Sequence, residues 1–276
     1  MRWLAAGLIL VTAACGGGKA PPVNNVSLAQ SRLAQAETRA AALVKSGDYA
    51  SAARQYAEAV RIATSLENSD AIASNAINLS IVQQWLGRDA DARAALAAVL
   101  DDPYTPFSER RKLQAELRRA ILELGDGNIG AAAIWAGQAE RRCAATNCEY
   151  AATILNVRAQ VELDSGRAAE AARLAQSAAE RSRGTANRAE SANALRTLGR
   201  ARLAQQQPAA ALEPLRQALE LDREIGDPRK ILADLAELAR AAEGAGDAAS
   251  ARDYKERSLA VSKAMNGRGA EAALVR

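Results

Sequence analysis

No histidine occurs in the 276-residue chain, which removes the usual general base at neutral pH and with it the Ser-His and Cys-His nucleophile arrangements. Only three cysteines are present, too few for a four-ligand zinc site built from the usual nitrogen and sulfur donors. Aromatics make up 3% of the residues, and the alternation of valine, isoleucine and aromatics that marks strands is missing. Gly16-Gly17-Gly18 follows no strand pattern and leads to no lysine-threonine pair, so it is not a phosphate loop. Asp89 with Asp91, and Asp101 with Asp102, fall at helix starts or in a turn, where acidic residues serve the helix dipole rather than acid-base work. These absences argue against an enzyme and against a metal or cofactor.

Charge of one sign is also lacking. Lysine and arginine total 36 against 32 acidic residues, a net charge of +4, and the two signs are mostly interspersed. That pattern describes a solvated helical surface rather than a nucleic-acid footprint, despite a pI near 9.1. The densest basic stretch, Glu109-Arg110-Arg111-Lys112 with Arg118-Arg119, is expected to be an exposed helix face.

What is present is a period. Ala52, Ala92, Ala132, Ala171, Ala211 and Ala251 are spaced by 40, 40, 39, 40 and 40 residues. Each lies five residues after a turn signal: Gly47-Asp48, Gly87-Arg88, Gly127-Asn128, Gly166-Arg167, Gln206-Gln207 and Gly246-Asp247. Seven residues before each turn stand Ala40, Ser80, Ala120, Ala159, Gly199 and Ala239, and twelve after it Ala59, Val99, Ala139, Ala178, Ala218 and Ser258. Small residues in three fixed phases suit two antiparallel helices that cross closely. A lone helical pair cannot bury its apolar face, so six such units must stack, and function should come from an extended surface.

The unit Gly47-Asp48-Tyr49-Ala50-Ser51-Ala52-Ala53-Arg54-Gln55-Tyr56-Ala57-Glu58-Ala59 resembles the tetratricopeptide repeat family in its turn glycine, two tyrosines and two packing alanines. Ala211 to Asp222 and the closing Gly246-Asp247 unit read likewise, with a period longer than the family's usual thirty-four residues. The resemblance covers residues 28–267 and implies an all-α, right-handed α-solenoid of about six helix-turn-helix repeats of about 40 residues. Twelve helices are expected. Pro208 and Pro228 sit where a helix would begin. Pro214 requires the second helix of its unit either to kink or to start late, near Ala211. Asp101-Asp102-Pro103-Tyr104-Thr105-Pro106 should form a rigid loop between units.

Residues 1–14, with Arg2, an apolar run from Trp3 to Val11 and Thr12-Ala13-Ala14 before Cys15, resemble a bacterial lipoprotein signal. The apolar run, about nine residues, falls far short of the roughly 20 needed to span a bilayer. That resemblance implies lipidation at Cys15, the alternative being an ordinary secretory signal cleaved at the same bond. Residues 15–27 then form a tether, with a root-mean-square reach of about 20 Å, and 268–276 a C-terminal tail. Gly16 after the lipidated cysteine favours, by analogy with enteric lipoproteins, the outer membrane with the domain facing the periplasm. In an oxidising compartment Cys143 and Cys148 should close into a disulfide, the alternative being two free thiols.

In tetratricopeptide arrays the first helix of each pair lines the concave groove. Ten and six residues before each turn this implies Glu37 and Ala41, Ile77 and Ile81, Leu117 and Ile121, Asn156 and Gln160, Arg196 and Arg200, and Ala236 and Arg240. With Asn193, the residues Asn156, Gln160, Arg196, Arg200 and Arg240 would make a polar wall able to hold a peptide backbone or carboxylate. Trp85 and Trp135 are expected to fill the core between units. The reading is an envelope-anchored scaffold or adaptor for a protein or peptide partner. Its rivals are an assembly factor for a pilus or secretion machine and a carrier of a small ligand or cell-wall fragment.

Overall fold

Six tight turns repeat along the chain with the same backbone geometry. Gly47, Gly87, Gly127, Gly166 and Gly246 all have φ between 69° and 83°, the left-handed conformation that closes a helix without a Cβ penalty. The next residue in each case donates its N–H five residues back, as in Asp48 to Leu43 at 3.0 Å and Arg167 to Glu162 at 2.9 Å. The fifth turn does the same with a non-glycine, Gln206 at φ 59°, whose neighbour Gln207 donates to Arg202 at 2.9 Å. Left-handed backbone strains an L side chain by about 1–2 kcal/mol. Gln206→Gly should therefore raise stability, by about 0.5–1 kcal/mol after glycine's larger unfolded-state entropy, read as an increase in melting temperature.

The computed structural model describes residues 27–145 and 148–274, and these form twelve helices. They are α1 (Leu28–Ser46), α2 (Tyr49–Ser65), α3 (Ser69–Trp85), α4 (Asp89–Leu100), α5 (Glu109–Gly125), α6 (Ile129–Ala144), α7 (Ala151–Asp164), α8 (Ala168–Ser182), α9 (Arg188–Ala204), α10 (Pro208–Ile225), α11 (Pro228–Gly244) and α12 (Ala248–Leu274). Side-chain caps fix several starts, among them Ser27 with Gln30 in a capping box, Asp48, Asn68, Ser108, Asn187 and Asp227. The stretch expected to be a lipoprotein signal, Cys15 and the expected tether before Ser27 all fall outside the described residues. At the other end α12 runs to Leu274, past the boundary at residue 267 drawn from the sequence.

Consecutive helices pack against each other throughout, and the three phases of small residues are the contact positions. Every one of them is buried except Ser258 in α12, which is half-buried. Pro208 and Pro228 each open their helix. α10 runs unbroken from Pro208 through Pro214, so a late start at Ala211 does not occur; proline falls early in the helix and removes one donor. The loop between α4 and α5 is held by Asp102, which accepts from Tyr104 N at 2.8 Å and Thr105 N at 3.2 Å, while Phe107 is buried as its anchor. A disulfide joins Cys143 to Cys148 across the turn from α6 to α7, Cα–Cα 5.1 Å.

Successive first helices also touch one another: α3 with α5, α5 with α7, α7 with α9 and α9 with α11. Successive second helices have no contact of that extent among the described residues. The first helices therefore make the tighter, inner layer of the stack, and the second helices the outer one. No helix among the described residues is long and apolar enough to cross a membrane.

Candidate functional site

The inner layer has two kinds of position, set by how closely neighbouring first helices approach. Six residues before the turn the side chains stay open: Ala41, Ile121 and Arg240 are exposed, and Ile81, Gln160 and Arg200 half-buried. Ten residues before it, in the three middle units, they enter the seam between two first helices, whereas Glu37 and Ile77 are half-buried and Ala236 is exposed. Leu117, Asn156 and Arg196 are all buried there.

Arg196 thus differs from its expected place on an open wall. It is 9% exposed, and its fork is already occupied. Nε donates to Asp234 Oδ1 of α11 at 2.6 Å, Nη1 to Asn193 Oδ1 at 3.0 Å, and Nη2 to Asp222 of α10. One guanidinium faces two buried carboxylates, with the Lys230 ammonium close enough to act on Asp222. Burial pushes Asp222 up to about 6, with Asp234 adding to the rise and Arg196 opposing it. Low dielectric disfavours the ionised carboxyl there, which is the sense of that rise.

Asn156 is likewise sealed, 3% exposed, and its Oδ1 accepts no hydrogen bond. Glu190 of α9 is buried too, with Oε1 unpartnered. Its carboxyl is pushed up by burial, against the opposing hydrogen-bond influence of Thr153 and Asn156. Asn156 and Arg196 are therefore corrected from groove-facing contacts to seam residues, because the first helices lie close enough to close over them.

Gln160, Asn193, Arg200 and Arg240 keep access to solvent. Arg200 lies 3.8 Å from Asp164 and 3.6 Å from Glu237, longer than a bidentate pair, and Arg240 reaches Glu237 at 2.7 Å. With Leu163, Leu203 and Ala204 these two arginines line a cleft of about 400 Å³. The cleft offers guanidinium donors beside a small apolar floor, a combination that suits a carboxylate-bearing or backbone-presenting ligand.

The basic stretch of α5 is also not a free solvated face. Arg110 pairs with Glu149 at 2.7 Å, Arg111 with Asp70 at 2.7 Å, and Arg119 with Glu123 at 2.6 Å. Arg118 is buried, giving Nε to Ser80 Oγ at 3.0 Å and Nη2 to Gln84 Oε1 at 2.7 Å; burial lowers it to about 10. Burial raises Glu123, but hydrogen bonds from Arg93, Arg119 and Asn128 outweigh that and hold it down at about 2. Arg110, Arg111 and Arg118 strut one unit to the next, whereas Arg119 pairs within α5.

Sequence reasoning missed a second cleft of about 590 Å³ on the outer layer, lined by Val99, Leu100, Lys112, Glu116, Trp135, Gln138, Arg141 and Arg142. It opens because α4 is only 12 residues long and stops short of covering α6. Trp135 is half-buried against the core with Arg119 5.5 Å above its ring. Trp85 does not fill the core as expected. It is 39% exposed at the end of α3.

With the solenoid and its inner face established, sequence comparison gives one match. The sequence profile of the tetratricopeptide repeat family matches residues 150–224. Those residues run from the start of α7 to the end of α10 and hold most of the polar seam. No curated protein sequence matches the chain. Among solved structures, BtubC (BKLC) from P. vanneervenii is similar with a TM-score of 0.61 and 18% identity, over 87% of this chain and 93% of that one. A Signal Transduction ATPase with Numerous Domains from Pyrococcus horikoshii, with a tetratricopeptide repeat sensor, gives 0.62 and 16%, over 86% and 35%. A Rap protein complexed with Competence and Sporulation Factor gives 0.62 and 16%, over 86% and 67%. The chain thus spans about a third of the ATPase's length. At such identities the likeness establishes the fold alone, an all-α repeat solenoid with tetratricopeptide-like neighbours.

Proposed function

We propose that this chain is a membrane-anchored scaffold of the bacterial cell envelope that binds a protein or peptide partner on the inner face of its solenoid. The observation that carries the reading is the line of open positions on the first helices, which ends in the Arg200–Arg240 cleft. The fold is consistent with a protein-interaction scaffold, and one similar structure is of a Rap protein complexed with Competence and Sporulation Factor. Nothing in the fold calls for chemistry of its own. The anchor is a lipidated Cys15, and the tether would hold the repeats near the outer membrane, facing the periplasm.

The test is capture from envelope extracts by the soluble form starting at Gly16, beside an Arg200→Glu, Arg240→Glu variant. Both substitutions fall on solvent-accessible side chains, so folding should survive. A partner retained by the wild type and lost from the variant is the expected outcome. Equal capture would move the site off this cleft. No capture by either form, together with a ligand-dependent rise in melting temperature, would replace the scaffold by a small-ligand carrier. In the same cells the full chain should sediment with membranes and its Cys15→Ser form should not; membrane retention of that form would remove the lipid anchor from the account.

A further inference from the structure

Tyr49 opens α2 and Trp85 closes α3, so both lie along the edge of the stack that carries the turns within units. Their ring centroids are 5.1 Å apart with planes inclined at 58°. Over this pair sits Arg229, second residue of α11, with Cζ 3.9 Å from the Trp85 centroid and 5.3 Å from that of Tyr49. In a straight stack this contact could not form. Arg229 belongs to the opposite edge, about 25 Å away along a 17-residue helix, and four units further on. The array must therefore curl until its sixth unit meets its first two.

The chemistry at the meeting point is specific. Arg229's nearest carboxylate pairing is Asp227, at 3.9 Å from Nε, with no bidentate geometry. Its position is set by the indole and phenol faces, which attract a cation through their quadrupoles, tryptophan most strongly. Arg229 and Trp85 both remain more than a third exposed, so the site is open to solvent and to competitors.

We propose that Tyr49 and Trp85 form a guanidinium-binding site on this protein, that Arg229 is its resident occupant and latches the curled array, and that an arginine side chain of a protein partner takes Arg229's place. The identity of the incoming arginine as a partner's rests on the scaffold reading; the site and the latch do not. Binding there would release the sixth unit from the first two, so that recognition of an arginine and opening of the inner face become one event. Arg229 lowers the apparent affinity for any competitor by the fraction of time the site stands empty.

The test uses the soluble form from Gly16, which retains Trp85 and Trp135 as its only tryptophans. The Trp85 indole N–H signal is assigned by its persistence in Trp135→Phe, and the probe is N-acetyl-arginine amide, with N-acetyl-citrulline amide as its uncharged control. Arg229→Ala is expected to bind the arginine probe about tenfold more tightly than wild type. It should not respond to citrulline, and its radius of gyration in solution scattering should exceed that of wild type. Equal affinity in the two proteins, an equal response to citrulline, or no response in either would overturn the binding site. An unchanged radius of gyration would overturn the latch. Failure of partner capture would leave these readouts standing, so the two readings fail separately.

Discussion

Arg196→Met is expected to destabilise the protein by about 3–5 kcal/mol, because it leaves two carboxylates buried in the α9–α10–α11 seam without their counter-ion. Asp234 is fully buried and Asp222 3% exposed, so neither can recover its hydration without opening the stack. Chemical denaturation should show the C-terminal units melting first, because the α9–α10–α11 packing that Arg196 ties together lies there. The further change Asp222→Asn, Asp234→Asn should recover most of the loss by removing the stranded charge. If Arg196→Met alone costs under about 1 kcal/mol, the typical surface outcome, the triad is not the buried device described here.

The triad also gives a signed pH dependence. Asp222 sits at about 6, above the ordinary value of 3.8, so between those values the folded state keeps a proton that the unfolded chain releases. Its contribution is fully favourable below about pH 4 and is lost as pH rises through 6, an effect of about 1–3 kcal/mol. Glu123, held at about 2, acts oppositely and loses its contribution only as pH falls below its unfolded value. Denaturation midpoints measured from pH 4.5 to 7 should therefore fall in the wild type and stay flatter in Asp222→Asn.

Gly199→Ala should cost about 1–3 kcal/mol, although alanine is the better helix former. A Cβ built on Gly199 would lie 2.4 Å from Leu215 Cγ and 2.6 Å from Cδ2. Leu215 is completely buried, and its branch point has no room to retreat. Leu215→Ala alone should cost about 2–5 kcal/mol through its cavity. The double variant should lose clearly less than the two single losses combined, since the new methyl then fills part of that cavity. Strict additivity in thermal denaturation would mean that the α9–α10 crossing relaxes around the methyl group.

Gly199 marks what the sequence made legible. The forty-residue spacing, the six turns and the small residues at the crossings follow from sterics that act through chemical identity: only a small side chain lets two helix axes approach. Cys143 and Cys148 were readable as a disulfide through a different route, the expectation of an oxidising compartment. Which arginines are buried was harder, because Arg196 and Arg200 differ by one helical turn and carry the same side chain. A signal did exist. Asp234 falls in phase with Leu235, Leu238, Ala239 and Ala242, the buried stripe of α11, and a carboxylate on such a stripe demands a cation from the neighbouring unit. Trp85 was misplaced for a different reason. Its environment depends on the curl accumulated over four units, and no local pattern encodes that sum.

Binding of partners to the inner, first-helix face is tested directly by a photo-reactive phenylalanine analogue placed at Gln160 of α7 or Arg240 of α11, with Arg173 on the outward helix α8 as the control. The account predicts that the captured partner is cross-linked from the two inner positions and not from Arg173. Cross-linking from Arg173 with none from Gln160 or Arg240 would contradict it and assign recognition to the outer layer.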